Sequence, residues 1–374
     1  MNIIDRYIGK QVLLATFFAV MVLSVVLVLG NIFKELLSQL VERPDISLGF
    51  VIRFMLYILP FSLSLTIPWG FLTAILLIFG RLSADNELVS LRMAGLSMAR
   101  ICASIGVVTL GLTGLCFWLN MSVAPAMKQK LTVMLPNMIF NLAKNNPDGL
   151  FKDQQVMTDI PGHMVYAEKT EDGLVNFQMI KLDERQRPEV FVIAKKVKLL
   201  SEMNEGTPAL VLEMQDAYFE LKSDPDPRNF TEAQPYFAEF APMSISLDRL
   251  KKKDGKVKPE TLGFSALMKE LDKDDLDRGQ RSSLRTEVSL RFSFSLACAT
   301  LALIGVPLGI TAQRRETSIG FAMSLLVGIV YFLLMTIAEM MRDKEHLYPH
   351  ILVWLPNLIF LGLGFFLFRR MSAK

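Results

Sequence analysis

The sequence predicts a membrane α-helical protein with six transmembrane helices, arranged three plus three, and an inserted extracytoplasmic antiparallel β domain, a sandwich or jelly roll. Three observations predict it. The chain of 374 residues is 52% hydrophobic and holds 26 Phe, with a mean hydropathy of +0.37, which is more apolar surface than one soluble core of that length uses. Six runs free of Asp, Glu, Lys and Arg approach or exceed the roughly 20 residues that cross hydrocarbon as a helix. A polar, strand-like stretch separates the third run from the fourth.

The runs are 11–33, 54–80, 101–127, 292–313, 317–338 and 351–368. The last is short enough for a buried soluble helix, but six together exclude that reading for the set. The first run is too long for a signal-peptide core and no small-residue cleavage pattern follows it, so it is expected to be retained. Pro60 and Pro68 in the second run remove backbone donors and mark a candidate kink.

An even number of spans places both termini on one side, and basic residues decide which. Ten Lys and Arg flank the spans on the terminal side: Arg6 and Lys10, then Arg81, Arg92 and Arg100, then Arg314 and Arg315, then Arg369, Arg370 and Lys374. The opposite short loops hold five, namely Lys34, Arg43 and Arg53, then Arg342 and Lys344. Both termini are therefore expected in the cytoplasm. The resulting division is 1–127 for the first three spans, 128–258 for the exported β domain, 259–291 for a helical return segment and 292–374 for the last three spans.

Within the exported stretch, segments 175–182, 190–199, 210–221 and 243–247 are rich in Val, Ile, Phe and Tyr with partial alternation. Turn signals separate them, among them Glu171-Asp172-Gly173 and Asp224-Pro225-Asp226-Pro227. Short antiparallel strands at this spacing suggest a sandwich or jelly roll. Residues 262–290 read as helix. All three cysteines fall within predicted helices, so the exported domain is expected to fold without disulfides.

Several chemistries are excluded. There is no Gly-x-x-x-x-Gly-Lys-Ser/Thr phosphate loop, so no cofactor is expected and ATP hydrolysis would need a partner. Pro349 separates His346 from His350 and spoils a helical metal pair. A net charge of +3 implies no nucleic-acid partner. Mid-span ionisable groups, which ion-coupled carriers use, are missing.

What remains is the loop 81–100, where a short helix at about 83–95 is expected. Ser83 or Asp85 would cap it, Glu87 suits its first turn and Gly95 its end. Leu88 and Leu91 would form a small apolar face with Arg92 beside it. Two readings stand on the residues alone: an interfacial helix lying on lipid, or a docking knob for a cytoplasmic partner.

The pattern Gly80-Arg81-Leu82-x5-Leu88-x2-Leu91-Arg92-x2-Gly95-Leu96-Ser97 resembles the coupling segment of the lipopolysaccharide export permeases, the LptF/LptG family. The resemblance continues in Arg6-Tyr7, Val123-Ala124-Pro125, Val165-Tyr166-Ala167-Glu168, Glu287-x3-Arg291-Phe292, Gly305-Val306-Pro307-Leu308-Gly309 and Trp354-Leu355-Pro356-Asn357, and so spans nearly the whole chain. It implies a permease subunit of an ATP-binding-cassette exporter in the bacterial inner membrane. Such a subunit pairs with a homologous permease paralogue and a cytoplasmic LptB-like ATPase dimer, and passes lipopolysaccharide to periplasmic jelly-roll bridge proteins. By the same resemblance Glu87, with Leu88, Leu91, Arg92 and Gly95, faces the ATPase, and Lys34, Arg53 and Arg291 meet the lipid. Lys34 reads equally well as an interfacial anchor, and Asn31 stands where relatives carry a second basic residue. A secondary carrier or a non-transporting membrane scaffold with an exported β domain remains the alternative on the residues alone.

Overall fold

A computed structural model describes residues 3–35, 48–145, 153–158, 162–170, 173–183, 187–204, 207–222, 233–246, 258–311 and 317–372. They fall into two units. One comprises the described residues within 3–35, 48–131 and 258–372, the other those within 132–246.

The first unit is helical: α1 Ile3–Glu35, α2 Leu48–Ala84, α3 Glu87–Met93, α4 Met98–Ile101, α5 Ala103–Trp118 and the start of α6 Ala124–Asn145, then α7 Phe264–Leu271, α8 Arg278–Thr311, α9 Thr317–Met340, α10 Pro349–Leu352 and α11 Leu355–Ser372. Among the described residues, six segments are long and apolar enough to cross a membrane. Two of them are central: the apolar windows of α2 and α8 are 67% and 61% buried, against 17% for α1. Small residues let these helices approach. A Cβ on Gly70 would sit 2.7 Å from Val20 of α1, one on Gly309 would meet α2 at Phe79 and Leu76, and one on Gly328 would strike the Trp69 ring at 2.6 Å.

Polar residues join the spans as well. Asn357 on α11 accepts from the hydroxyls of Thr300 and Tyr331 at 2.9 and 3.0 Å and donates to the Ser293 carbonyl and hydroxyl, both at 2.8 Å. Every hydrogen-bonding group of this amide is thereby used, as apolar surroundings require. Pro60 and Pro68 lie inside α2, which continues through both. Between α5 and α6 the backbone widens into a π-helical turn over Leu119–Val123, a local form that often marks functional positions.

Three expectations are corrected here. The third span's helix does not end at 127, where the β domain was expected to begin; it runs on to Asn145, and the boundary between units falls after 131. The return segment is not one helix. A 3-10 turn at Pro259–Thr261 is followed by α7, and the acidic run Asp274-Asp275-Leu276-Asp277 precedes α8, which starts at Arg278. The α3 helix is shorter than 83–95, because α2 extends to Ala84 and takes Ser83 with it.

The second unit holds β1 His163–Thr170, β2 Gly173–Leu182, β3 Pro188–Asn204, β4 Thr207–Lys222 and β5 Ala233–Ser246. Each pairs antiparallel with its sequence neighbour in one five-stranded meander. A jelly roll's crossover connection is not among the described residues. Strict alternation breaks at the same level in three adjacent strands. Buried residues step by three, from Leu174 to Phe177, from Ala194 to Val197 and from Met214 to Ala217. These pair across the sheet as Leu174, Val197, Met214 and as Phe177, Ala194, Ala217. Asn176 and Asp216, both at φ 50, lie between the two rows. The row of extra residues is a crease, and it keeps both halves of each long strand facing one apolar interior.

Candidate functional site

The loop between the second and third spans folds into a defined knob. Asn86, in left-handed conformation at φ 60, turns the chain out of α2 and opens α3, with no side-chain cap. The expected caps at Ser83 and Asp85 are therefore not used; the Ser83 hydroxyl instead donates to the Ile310 carbonyl of α8 at 3.2 Å. At the other end Gly95 stands at φ +84, its N–H bonded to Arg92 O while the Leu96 N–H reaches Leu91 O. That paired pattern is a Schellman closure, and it needs a residue free of a Cβ penalty at Gly95. The Ser97 side chain then caps α4 by accepting from the Arg100 N–H.

The apolar face of α3 turns inward. Leu88 is only 4% exposed and, with Leu91 partly covered, packs into the same cluster as Ile8, Phe79, Leu82 and Ile101. Leu88 is thus not free to enter a partner's pocket, which corrects the expectation. The apolar side chains that do face outward are Val89 and Met93, 48% and 80% exposed, with Arg92 exposed beside them and Glu87 half-buried.

Three contacts tie this knob to the start of α1. Arg100 donates to the buried Asp5 carboxylate at 2.8 Å, Arg81 donates to Gln11 Oε1 at 2.6 Å, and the Tyr7 hydroxyl lies 3.4 Å from Glu87 Oε2. Nothing in the local sequence pattern reveals these ties, since their members stand 70 to 95 residues apart.

A second polar group lies at the far ends of the spans. Arg291 on α8 is 3% exposed at its side chain and bonds Glu287 Oε1 at 2.9 Å and the carbonyls of Leu262 and Pro259 at 2.8 and 3.1 Å. The other Glu287 oxygen accepts from Arg342 at 2.8 Å, and Arg342 also holds Glu260 at 2.9 Å. Lys128 stands 3.6 Å from Glu260. Desolvation pushes the Glu260 carboxyl up, but the Lys128 ammonium and the Arg342 guanidinium outweigh it and hold it below its ordinary value of 4.5.

Arg291, expected to meet the lipid, is buried and is the post on which the return segment hangs. Arg53 is exposed at the start of α2, its Nε donating to Gly49 O at 3.3 Å. The side chains of Lys34 and Asn31 lie outside the described residues. Sequence reasoning missed the roles of Glu260, Glu287 and Arg342. One signal was present: Glu287 and Arg291 stand four apart, the spacing that stacks opposite charges on a helix.

Six membrane-length helices around central α2 and α8, with an antiparallel sheet inserted between the third and fourth, define a polytopic membrane protein with an inserted β domain. The family model described as lipopolysaccharide export system permease LptF/LptG matches residues 6–370. The chain belongs to that family, whose members are export permeases and not themselves catalytic. No curated protein matches the chain.

Proposed function

We propose that this chain is a permease subunit of an ATP-binding-cassette exporter, extracting lipopolysaccharide from the inner membrane and passing it to a periplasmic bridge toward the outer membrane. Family membership supports the transport class. The observation that carries the mechanism is the closed helical knob at Glu87–Met93 and the ties of the surrounding loop 81–100 to α1.

In this reading both termini are cytoplasmic, a cytoplasmic ATPase dimer seats against the knob, and a homologous permease paralogue completes the lipid path. The chain has no nucleotide site of its own, so ATP energy arrives as displacement of α3. Val89 and Met93 supply the apolar anchor that interfaces favour, Glu87 and Arg92 set charge complementarity, and Gly95 fixes where the helix ends. Arg53 and Lys34 are the basic residues offered to the glycolipid's phosphates.

The test compares Glu87→Arg and Met93→Asp with Glu345→Arg, which lies in the loop between the fifth and sixth spans. Co-purification of the ATPase and lipid-stimulated ATP turnover in nanodiscs are measured. Association is expected to fall by about tenfold or more in the first two, because each places an unpaired charge in a desolvated contact. Wild-type association in both would refute the docking role.

A further inference from the structure

Within the membrane-spanning unit, α2, the π-helical turn, α6, α8 and α9 line a small open recess of about 130 Å³, room for a compact polar head group. Its walls are apolar at Phe61, Leu65 and Phe294 and charged at Lys128, Arg291 and Glu339. Glu339 closes the fifth span, and the apolar run of α8 begins at Phe292, one residue after Arg291. The recess therefore lies where hydrocarbon gives way to head groups, on the side of the membrane opposite the α3 knob.

Its charges are unequally engaged. Glu287 and Glu260 are held by Arg291 and Arg342 at 2.8 to 2.9 Å. Lys128 is the looser partner of Glu260, at 3.6 Å, with its ammonium 5.1 Å from the centre of the Phe61 ring. The Glu339 carboxylate is exposed and feels the charge of Arg342, but it accepts no hydrogen bond among the described residues. Arg291 Nη1 is buried with no hydrogen-bond partner, although the rest of its guanidinium is fully used. A buried guanidinium N–H without an acceptor is costly, and Arg291 is one of the residues that line the recess.

One unfilled cationic donor, one loosely held cation and one carboxylate without a hydrogen bond form the complement of a group that carries both an anionic oxygen and a cationic nitrogen. We propose that the recess binds the head group of a zwitterionic, primary-amine phospholipid. The phosphate oxygens take Arg291 Nη1 and Lys128 Nζ, the ammonium takes the Glu339 carboxylate, and the first acyl methylenes lie on Phe61, Leu65 and Phe294. Binding at this site does not depend on the exporter reading, since it requires only that the unit sit in a bilayer.

The test titrates the full chain in detergent micelles with dihexanoyl phosphatidylethanolamine, phosphatidylcholine and phosphatidylglycerol, reading bound lipid by native mass spectrometry. Phosphatidylethanolamine is expected to bind about tenfold tighter than phosphatidylglycerol, the ratio that one charge-assisted hydrogen bond supplies. Phosphatidylcholine, which has the charge but no N–H, should fall between them. Glu339→Gln should erase the preference, Lys128→Gln should weaken all three lipids, and Glu345→Gln should change nothing, with each variant's melting temperature confirming that it is folded. Equal affinity for all three lipids, a preference for phosphatidylglycerol, or a preference unchanged in Glu339→Gln would overturn the proposal. So would displacement of bound phosphatidylethanolamine by purified lipopolysaccharide with the same dependence on Lys128, which would assign the recess to the glycolipid.

Discussion

Glu287→Ala is expected to be the most damaging single truncation in the membrane-spanning unit. Its carboxylate accepts from Arg291 at 2.9 Å and from Arg342 at 2.8 Å, and the three side chains are 8%, 3% and 18% exposed. Removing the acid leaves two guanidiniums in a largely dry site with only carbonyl acceptors and Glu260 to answer them. Breaking a buried ion pair typically costs about 3–5 kcal/mol. Arg342 retains Glu260 and some solvent, which puts this case near the lower end, at about 3 kcal/mol. At roughly 2–4 °C per kcal/mol for a unit of this size, the melting temperature falls by about 6–12 °C. All three tryptophans, Trp69, Trp118 and Trp354, lie in this unit, so a thermal scan of intrinsic fluorescence in detergent reads it directly. Arg187→Ala in the β domain breaks a pair of the same 2.8 Å length whose members are 32% and 27% exposed, and it should cost under about 1 kcal/mol. The double variant Glu287→Leu with Arg291→Met removes both charges together and should lose less than Glu287→Ala alone. A Glu287→Ala protein that melts within about 2 °C of wild type would refute the argument from desolvation.

Other outcomes follow from the same geometry. Because the Glu260 carboxyl is held below its ordinary 4.5, its contribution is complete above that value and is lost as pH falls through the lowered one. A spin label at Ser265→Cys, in a chain with its three native cysteines replaced, should therefore stay immobile from pH 7 to about 4.5 and loosen below it; Glu260→Gln should be loose throughout, and equal mobility of the two at pH 7 would count against the latch. Asp216→Val forces a β-branched residue into φ 50 and should destabilise the β domain by about 1–3 kcal/mol in denaturant unfolding, with Asp216→Gly close to neutral. For topology, a membrane-impermeant thiol reagent should label Lys198→Cys in spheroplasts and spare Ser90→Cys, and the reverse pattern would invert the orientation.

The spans were legible in the sequence because hydrocarbon imposes one demand, a charge-free run of sufficient length. That criterion marks the apolar core of a span and not the ends of its helix. It began the fourth span at 292, whereas the helix that carries it starts at Arg278, inside the stretch 262–290 that also reads as helix, because the paired Glu287 and Arg291 are buried inside the protein. Strand positions were partly legible, but the crease at Asn176 and Asp216 shifts the inward face by one residue, and β1 was not anticipated. The α3 knob shows a different limit. Periodicity placed Leu88 and Leu91 on one apolar face, yet it could not say that α1 and α2 of the same chain already cover that face. The remaining ties, Asp5 to Arg100 and Glu260 to Arg342, join residues too far apart for any local pattern to link them.

The first helix is held in an uneven way. Asp5, Tyr7 and Gln11 fasten its first turns to the knob, while most of its apolar length is uncovered. Farther along, Val20 rests in the notch that Gly70 leaves on α2. A rod of 33 residues is about 50 Å long, and the stretch from Val20 to Glu35 accounts for about 22 Å of it. With the notch as fulcrum, a tilt of about 5° imposed at the fastened end swings the opposite end by about 2 Å. The helix is therefore mounted as a lever across the bilayer, and the missing side chain of Gly70 is its bearing.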